Sequence, residues 1–378
     1  MTNNSAGELR YRLGELPFTI RGVGPVFDYL MEEFAALPVS LASEKSMITF
    51  ELSQTLPLPP VNSISARHYT GWGDGFQVLS GSLRYQLRVI DGSYLVVVQV
   101  PLATSGIENP TRYIRKFFNF NYLTEAENLA KNFMYSLFNL LTGQLLVMKG
   151  LGVYVHASSF EKNGYGVALI ASGGAGKTTS LLKLISMCRF RYLSDDLGLL
   201  NSEGELIRTP LRMQVYAYNL RGDKLLRKRF FSSRSILDRL SWRLRLWRKG
   251  DAQVRRRVSP EVLFGGAAIA VNAKLKAVIF LERVVSAEFS VTQITQEELI
   301  RRLSHIMPGE IGNIDAFSDS LELIGCGGLF LNRIEYSRLA SEILAKSLRG
   351  LSPVLLKIPQ SCNPLDLVDE ITRNLETG

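Results

Sequence analysis

The stretch 166–188 constrains the fold of this chain more than any other part of the sequence. The apolar run Val167-Ala-Leu-Ile170 leads into the glycine-rich sequence Ala171-Ser-Gly-Gly-Ala-Gly-Lys-Thr178, and leucines at helical spacing follow. This order predicts a buried strand, then a tight loop over 172–176, then a helix over 178–188. A strand that passes directly into a helix through a glycine loop is typical of an α/β fold.

Apolar periodicity elsewhere in the chain supports the same fold class. Further strands are predicted at 81–90, 94–100, 152–160, 190–193, 197–200, 277–281 and 354–358. Further helices are predicted at 26–36, from Thr124 to about Gly143, and at 296–303, 336–348 and 365–375. Because strands dominate the first part and alternate with helices afterwards, we predict two domains, a smaller β-rich domain over 1–122 and an α/β domain over 123–378.

Composition and charge exclude several protein classes. Of the 378 residues, 46% are hydrophobic and 21% are charged, which is typical of a globular protein rather than a disordered or collagen-like one. No run approaches the roughly 18 apolar residues of a membrane span, and the first residues lack the features of a signal peptide. The three cysteines are widely spaced, without a CxxC pair. We therefore expect a cytoplasmic protein without a disulfide framework or a structural zinc site.

The glycine-rich sequence matches the P-loop (Walker A) pattern, with Ala171 in the first glycine position. Small residues let consecutive backbone N–H groups approach phosphate oxygens, and the following helix adds its positive end. Lys177 would neutralise phosphate charge, and the Thr178 hydroxyl would hold Mg²⁺. The sequence therefore predicts an ATP and Mg²⁺ site. Its predicted nucleotide-binding residues are Ser172, Gly173, Gly174, Ala175, Gly176, Lys177, Thr178 and Thr179.

Two adjacent carboxylates, Asp195 and Asp196, end the predicted strand 190–193. Neighbouring residues of a strand point to opposite faces, so the two aspartates need not share a role. One can reach a Mg²⁺ ion held by Thr178, and the other can accept the proton of an incoming hydroxyl. The alternative is an ordinary acidic surface turn.

The sequence leaves the roles of two further residues undecided. His156 lies in the strand before the glycine loop, where a lone histidine is more often a packing residue than a catalytic one. Glu282 follows the apolar run 277–281 and is either a second carboxylate beside a metal or a solvated strand end.

The ordered set of these features resembles the HPr kinase/phosphorylase family, which shares a P-loop core with phosphoenolpyruvate carboxykinases. The set comprises His156 on a strand, a Gly-Val-Ala-Leu-Ile strand, the P-loop with its helix, and Ser194-Asp-Asp196. The resemblance implies that Asp195 takes the proton from the acceptor hydroxyl, that Thr178 and Asp196 hold Mg²⁺, and that His156 lies beside the transferred phosphoryl group. It also implies that Lys177 takes part in catalysis and that the protein forms a homo-oligomer.

The sequence departs from that family at two places. Ala171, Ser172 and Gly173 replace the family's Gly-Asp-Ser. The family's glycine-rich, arginine-containing segment has no counterpart, and the basic block 221–257 occupies that region.

The basic block contains 14 Lys and Arg against three Asp, a net charge of +11, whereas the whole chain carries +9. The positive charge therefore belongs to one segment, which argues against a general nucleic-acid-binding protein. Within the block, apolar residues recur at helical spacing from Ile236 to Trp247, with arginines between them. Three interpretations are open: a solvated or partly disordered insertion, a docking surface for an acidic protein or peptide substrate, and a surface for anionic membranes or nucleic acid.

These observations together predict an ATP-dependent kinase that transfers the γ-phosphoryl group to a hydroxyl, with a serine of a protein or peptide as acceptor. A kinase for a small-molecule hydroxyl and a nucleotide-sensing module without turnover are the alternatives. DNA or RNA binding by the basic block is a third and weaker alternative.

Overall fold

The structure is a computed structural model that describes residues 7–79, 83–101, 123–232, 234–311 and 314–377. The described residues form a mixed α/β structure with two compact units. The first unit comprises the described residues up to 101, together with 123–153 and 308–343. The second unit comprises 154–307 and 344–377, without the undescribed Ser233.

An eight-stranded sheet in the order β1-β2-β3-β8-β7-β6-β5-β4 organises the first unit. Its strands are β1 Gly7–Leu13, β2 Leu16–Gly22, β3 Ile48–Ser53, β4 Ile64–Ala66, β5 Tyr69–Trp72, β6 Gly75–Val78, β7 Arg84–Ile90 and β8 Ser93–Gln99. The predicted hairpin turn between β7 and β8 is confirmed, because Asp91 and Gly92 have φ values of 48° and 76° and a type I′ turn requires positive φ at both central residues. The first two residues of that predicted strand, 81 and 82, lie outside the described part of the chain.

The helix that begins after Thr124 packs on this sheet. The predicted capping box is present, since Thr124 and Glu127 exchange side-chain and backbone hydrogen bonds. The helical stretches are Glu125–Asn132, a π-helical turn Phe133–Phe138, and Asn139–Met148. The predicted end near Gly143 is wrong, because the next turn is apolar and fully buried and the helix therefore continues.

Aromatic rings join this helix to the N-terminal sheet. Phe138 lies 5.2 Å from Phe18, 4.9 Å from Phe34 and 5.7 Å from Phe50, measured between ring centroids. Contacts of this kind group the helix with the first unit, although it follows the predicted boundary at 122/123. The boundary between independently folding domains stays a prediction.

The other helices of the first unit are Pro25–Phe34 and Ile314–Leu323, whereas Gln296–Glu310 and Arg333–Ser347 contribute residues to both units. The helices predicted at 26–36, 296–303 and 336–348 are confirmed with shifted ends.

A second sheet has the order β12-β10-β11-β17-β14-β13-β9, with β19 beside β17 and β18 beside β19. Its strands are β9 Gly152–Val155, β10 Ala157–Lys162, β11 Tyr165–Ile170, β12 Arg191–Ser194, β13 Gly198–Asn201, β14 Glu205–Ile207, β17 Asn272–Val284, β18 Ser290–Gln293 and β19 Val354–Pro359. The predicted single strand 152–160 is wrong. The chain bends at His156, because β9 lies beside β13 whereas β10 lies between β11 and β12.

Helices pack on this sheet around a common apolar core. They are Lys177–Cys188, Lys224–Ser232, Ile236–Lys249, Pro260–Phe264 and Pro364–Thr377. Two short strands, β15 Met213–Tyr216 and β16 Arg255–Val258, pair separately.

The described residues of the basic block are folded, and one side of its helices is buried. Leu226, Phe230 and Trp242 are buried in the core cluster of the second unit. Arg256 is also buried, and its guanidinium donates to Asp238 Oδ1 at 2.9 and 3.0 Å. The interpretation as a partly disordered insertion is therefore wrong for the described residues of the block, whereas exposed side chains such as Trp247 leave the interpretation as a solvated insertion open.

Across the described ranges, every helix is either too short or too polar to cross a bilayer.

Candidate functional site

The strand directions of the second sheet bring the predicted site residues to one edge. β11, β17 and β19 run parallel, and β10 runs antiparallel to both β11 and β12. The carboxyl ends of β11, β12, β17 and β19 and the amino end of β10 therefore meet at the same edge. The glycine loop (residues 171–176), Asp195, Asp196 and His156 follow or precede these ends directly. Ligands of open α/β sheets bind at such an edge.

The glycine loop requires glycine at two positions for conformational reasons. Gly174 has φ 82° and Gly176 has φ 104°, in the left-handed region that other residues avoid. A Cβ atom at Gly173 or Gly174 would meet no atom within 4 Å, so space is not the reason for glycine there. Gly176 is the N-cap of the helix Lys177–Cys188, whose first N–H groups carry the positive end of the helix dipole. The loop and helix can thus receive an anion.

Lys177 is buried at the base of the loop. Its Nζ donates to the carbonyl of Ala171 at 2.6 Å and lies 2.9 Å from Nε2 of His156. Because an ammonium group can only donate, Nε2 of His156 accepts this hydrogen bond. Nδ1 lies 3.7 Å from Oδ1 of Asp196. The His156 ring therefore lies between Lys177 and one of the two aspartates.

Asp195 is buried, with 4% of its surface exposed. Its carboxylate accepts a hydrogen bond from Ser158 Oγ, and Thr178 Oγ1 lies 3.0 Å from each carboxylate oxygen. Burial raises the pKa of Asp195 to about 6, the charge of Asp196 adds to that rise, and the hydrogen bond from Ser158 opposes it. A cation at this carboxylate would offset the cost of burying its charge.

Asp196 differs from its neighbour in both exposure and backbone conformation. Its side chain is 45% exposed, and its φ of 71° is in the left-handed region. That conformation costs a non-glycine residue about 1 kcal/mol or more, and such costs concentrate at functional sites. The turn directs one carboxylate inward to Thr178 and leaves the other accessible to a ligand.

The residues present fit a magnesium ion in part. Thr178 offers a hydroxyl and Asp195 a carboxylate, and their oxygen atoms lie 3.0 Å apart. In the described residues no group of three or more His, Cys, Asp or Glu side chains could hold a metal ion by itself. Mg²⁺ commonly binds through one or two carboxylates and completes its shell with substrate phosphates and water. The donor set is therefore one for a metal that arrives with a phosphate ligand.

Two further side chains at this edge are not predicted by the sequence. Ser158 lies two residues after His156 and holds the Asp195 carboxylate; its spacing along the strand could have indicated it. Arg283 donates to the Gly174 carbonyl of the loop at 3.3 Å and to the carbonyls of Pro359 and Gln360 at 3.3 and 2.9 Å. Only the pairing of β17 with β11 and β19 brings Arg283 to the loop, and no local pattern predicts that pairing.

Thr179 also has partners at this edge. Asn219 Nδ2 donates to Thr179 Oγ1 at 2.8 Å, and Tyr218, also hydrogen-bonded to Thr179, stacks on Tyr216 with ring centroids 5.3 Å apart. Glu282, by contrast, forms an ion pair with Arg302 at 3.4 Å. Its interpretation as a solvated strand end therefore fits better than a metal-side carboxylate.

Comparisons with known proteins add little to this geometry. No family model matches the chain, and no curated protein matches it. Among solved structures, the chain is similar to the Hpr(Ser) kinase/phosphatase from Coxiella burnetii, at 11% identity and a TM-score of 0.25, over 59% of this chain and 97% of that chain. A similarity at this level supports no argument about chemistry, so the proposal below depends on the site itself. The homo-oligomer stays a prediction.

Proposed function

We propose that this chain binds ATP with Mg²⁺ at the glycine loop and transfers the γ-phosphoryl group to a hydroxyl, with a serine of a protein or peptide as acceptor. One observation carries the proposal. At the start of the helix that follows the loop, Thr178 Oγ1 lies 3.0 Å from both oxygens of the buried Asp195 carboxylate. A hydroxyl directly after the loop lysine, next to a strand-end aspartate, is the ligand pair that P-loop enzymes use for Mg²⁺.

Phosphate binding would use the loop backbone and Lys177. Backbone N–H groups at the helix start supply fixed partial positive charge. The Lys177 ammonium group carries a full positive charge. It donates to two carbonyls of the loop and would turn to the phosphates when they bind. Phosphoryl transfer requires mainly positioning and charge neutralisation, so this set accounts for most of the expected catalysis.

We assign the two aspartates the opposite roles to those predicted from sequence. Asp195 is hydrogen-bonded to Thr178 and faces the interior, which suits the metal side. Asp196 is half exposed and lies 3.7 Å from His156 Nδ1, which suits a base that meets the acceptor. Mg²⁺, when bound, would neutralise charge on the phosphate oxygens.

The transfer step would break two bonds and form two. The acceptor O–H bond breaks and its proton passes to the Asp196 carboxylate, while the hydroxyl oxygen bonds to the γ-phosphorus. The bond between the γ-phosphorus and the bridging oxygen breaks, and ADP leaves. His156 lies between the two groups, 2.9 Å from Lys177 Nζ and 3.7 Å from Asp196 Oδ1.

Nucleotide binding is tested first, by calorimetric titration of Mg·ATP into the protein and two variants. Lys177→Ala should abolish binding, whereas Lys183→Ala, on the same helix, should not. Lys183 is the matched control, since its ion pair with Asp223 is long, at 4.0 Å. Equal binding by Lys177→Ala and the parent would refute the site.

The aspartate roles are tested by phosphate transfer with labelled ATP. We expect Asp195→Asn to lose the Mg²⁺ dependence of nucleotide binding, and Asp196→Asn to keep Mg²⁺-dependent binding while losing transfer. The reverse pattern would support the sequence-based assignment. Label in a metabolite rather than a polypeptide would refute the serine acceptor, and binding without any transfer would refute the enzyme.

A further inference from the structure

The helix Ile236–Lys249, here called the basic helix, presents its apolar stripe to solvent. Trp247 is 82% exposed, Ile236 74% and Leu237 61%, and Leu240 is exposed as well. At 100° per residue these side chains lie on one side of the helix. The opposite side is packed, with Ser241, Trp242 and Arg245 buried. A cluster of exposed large apolar side chains on a folded helix marks an interaction surface.

Cations border this stripe on both sides. Arg239 and Arg243 lie along one border, and Arg248 lies along the other; all three are exposed. The preceding helix, Lys224–Ser232, repeats the composition with an exposed Leu225 among exposed lysines and arginines. The surface is therefore apolar in its centre and positive at its edges.

The aspartates of the basic block offset only part of this charge. The three aspartates of the block each have a cationic partner: Asp223 pairs with Lys183, Asp238 with Arg234 and Arg256, and Asp251 with Arg221. With 14 Lys and Arg against three Asp, the block keeps an excess of positive charge that attracts an external negative charge.

We propose that the basic helix binds an anionic lipid surface, with Trp247, Ile236, Leu237 and Leu240 entering the boundary between headgroups and acyl chains and the arginines contacting lipid phosphates. A helix with a Trp- and Leu-rich face bordered by Arg is the pattern of interfacial membrane binding. Because the surface of a helix curves outward, a bilayer can cover this face directly, whereas an acidic peptide would have to wrap around it.

Charge and composition separate this occupant from two others. A second copy of the chain would bring arginines against arginines, which disfavours self-association through this face. A nucleic acid would use the arginines and could stack a base on Trp247, but it would leave the aliphatic side chains Ile236, Leu237 and Leu240 in water. An anionic bilayer uses both.

The test is co-sedimentation of the full chain with phosphatidylcholine vesicles that contain or lack phosphatidylserine. We expect binding only to the anionic vesicles, weakened by salt. Each Arg→Gln change at Arg239 or Arg243 should weaken it about fivefold, from roughly 1 kcal/mol per charge near the surface. Leu240→Ser with Trp247→Ser should abolish binding. Leu323→Ser, at an exposed leucine of the first unit, is the matched control and should have no effect.

Fluorescence gives a second readout. Of the three tryptophans, Trp242 is buried and Trp247 is the most exposed. Anionic vesicles should shift the emission of the parent to the blue, and Trp247→Phe should remove that shift while retaining sedimentation. Three results would overturn the proposal: equal binding to both vesicle types, binding that the Leu240→Ser/Trp247→Ser variant retains, or variant-sensitive binding to an acidic polypeptide or RNA without vesicle binding.

Discussion

Replacing Asp195 with asparagine should stabilise the ligand-free protein at alkaline pH. The carboxylate is buried among Ser158, Thr178 and Asp196, and burial raises its pKa from 3.8 to about 6. Ionisation is therefore easier in the unfolded chain than in the folded one. Asparagine has nearly the same shape, keeps a carbonyl oxygen that can accept from Ser158 and Thr178, and carries no charge to desolvate.

The magnitude follows from the two pKa values. One pKa unit corresponds to 1.36 kcal/mol, so the difference between 3.8 and about 6 corresponds to about 3 kcal/mol. For a carboxyl whose folded pKa is raised, the stabilising contribution of protonation is fully present below pH 4 and is lost as the pH rises through about 6. The advantage of Asp195→Asn should thus be about 3 kcal/mol at pH 8, about half of that at pH 5, and near zero below pH 4.

Urea-induced unfolding of parent and variant, without nucleotide or Mg²⁺, measures this difference at each pH. Asp319→Asn, at an exposed carboxylate of the helix Ile314–Leu323, is the control, and its replacement should change the free energy of unfolding by no more than about 0.5 kcal/mol. An Asp195→Asn variant that is no more stable than the parent at pH 8, or an advantage that does not change with pH, would refute the reasoning.

Three further substitutions should each change the stability of the protein or its affinity for nucleotide. Gly176→Ala should destabilise the protein by about 1–2 kcal/mol, since φ is 104°, and should weaken nucleotide binding; thermal unfolding and calorimetry check both effects. Arg256→Met should cost about 3 kcal/mol in urea unfolding, because it breaks a buried ion pair with Asp238; a loss below 1 kcal/mol would contradict this. Arg283→Gln should weaken Mg·ATP binding about tenfold in calorimetry, because it removes the charged donor that holds the Gly174 carbonyl; unchanged affinity would show that the loop needs no such support.

Local patterns predicted the parts of the fold that depend on neighbouring residues. The strand, loop and helix around Gly174, the turn at Asp91 and the capping box at Thr124 are all specified within a few residues, and the structure contains each of them. The resemblance to the HPr kinase family, and not a local pattern, is what predicts that His156, Lys177 and the two aspartates share a site. The roles of those residues stay predictions until the variants are measured.

Features set by distant parts of the chain could not be predicted in this way. The bend at His156 depends on which strands flank β9 and β10. Helical spacing identified the apolar stripe from Ile236 to Trp247 but could not show which side of the helix packs. In the structure this stripe is exposed, and Trp242 on the opposite side is buried. Arg283 has no motif, since its role arises from the order of strands in the sheet.

Because Arg283 holds the glycine loop, the loop can be secured only late in the synthesis of the chain. Arg283 lies 109 residues after Gly174, and its other acceptors, Pro359 and Gln360, lie a further 76 and 77 residues on. A nascent chain therefore exposes the loop sequence long before the segment that secures it has been made. Arg283 can make all of these hydrogen bonds only after β19 has joined the sheet, so the support of the glycine loop is among the last contacts to form.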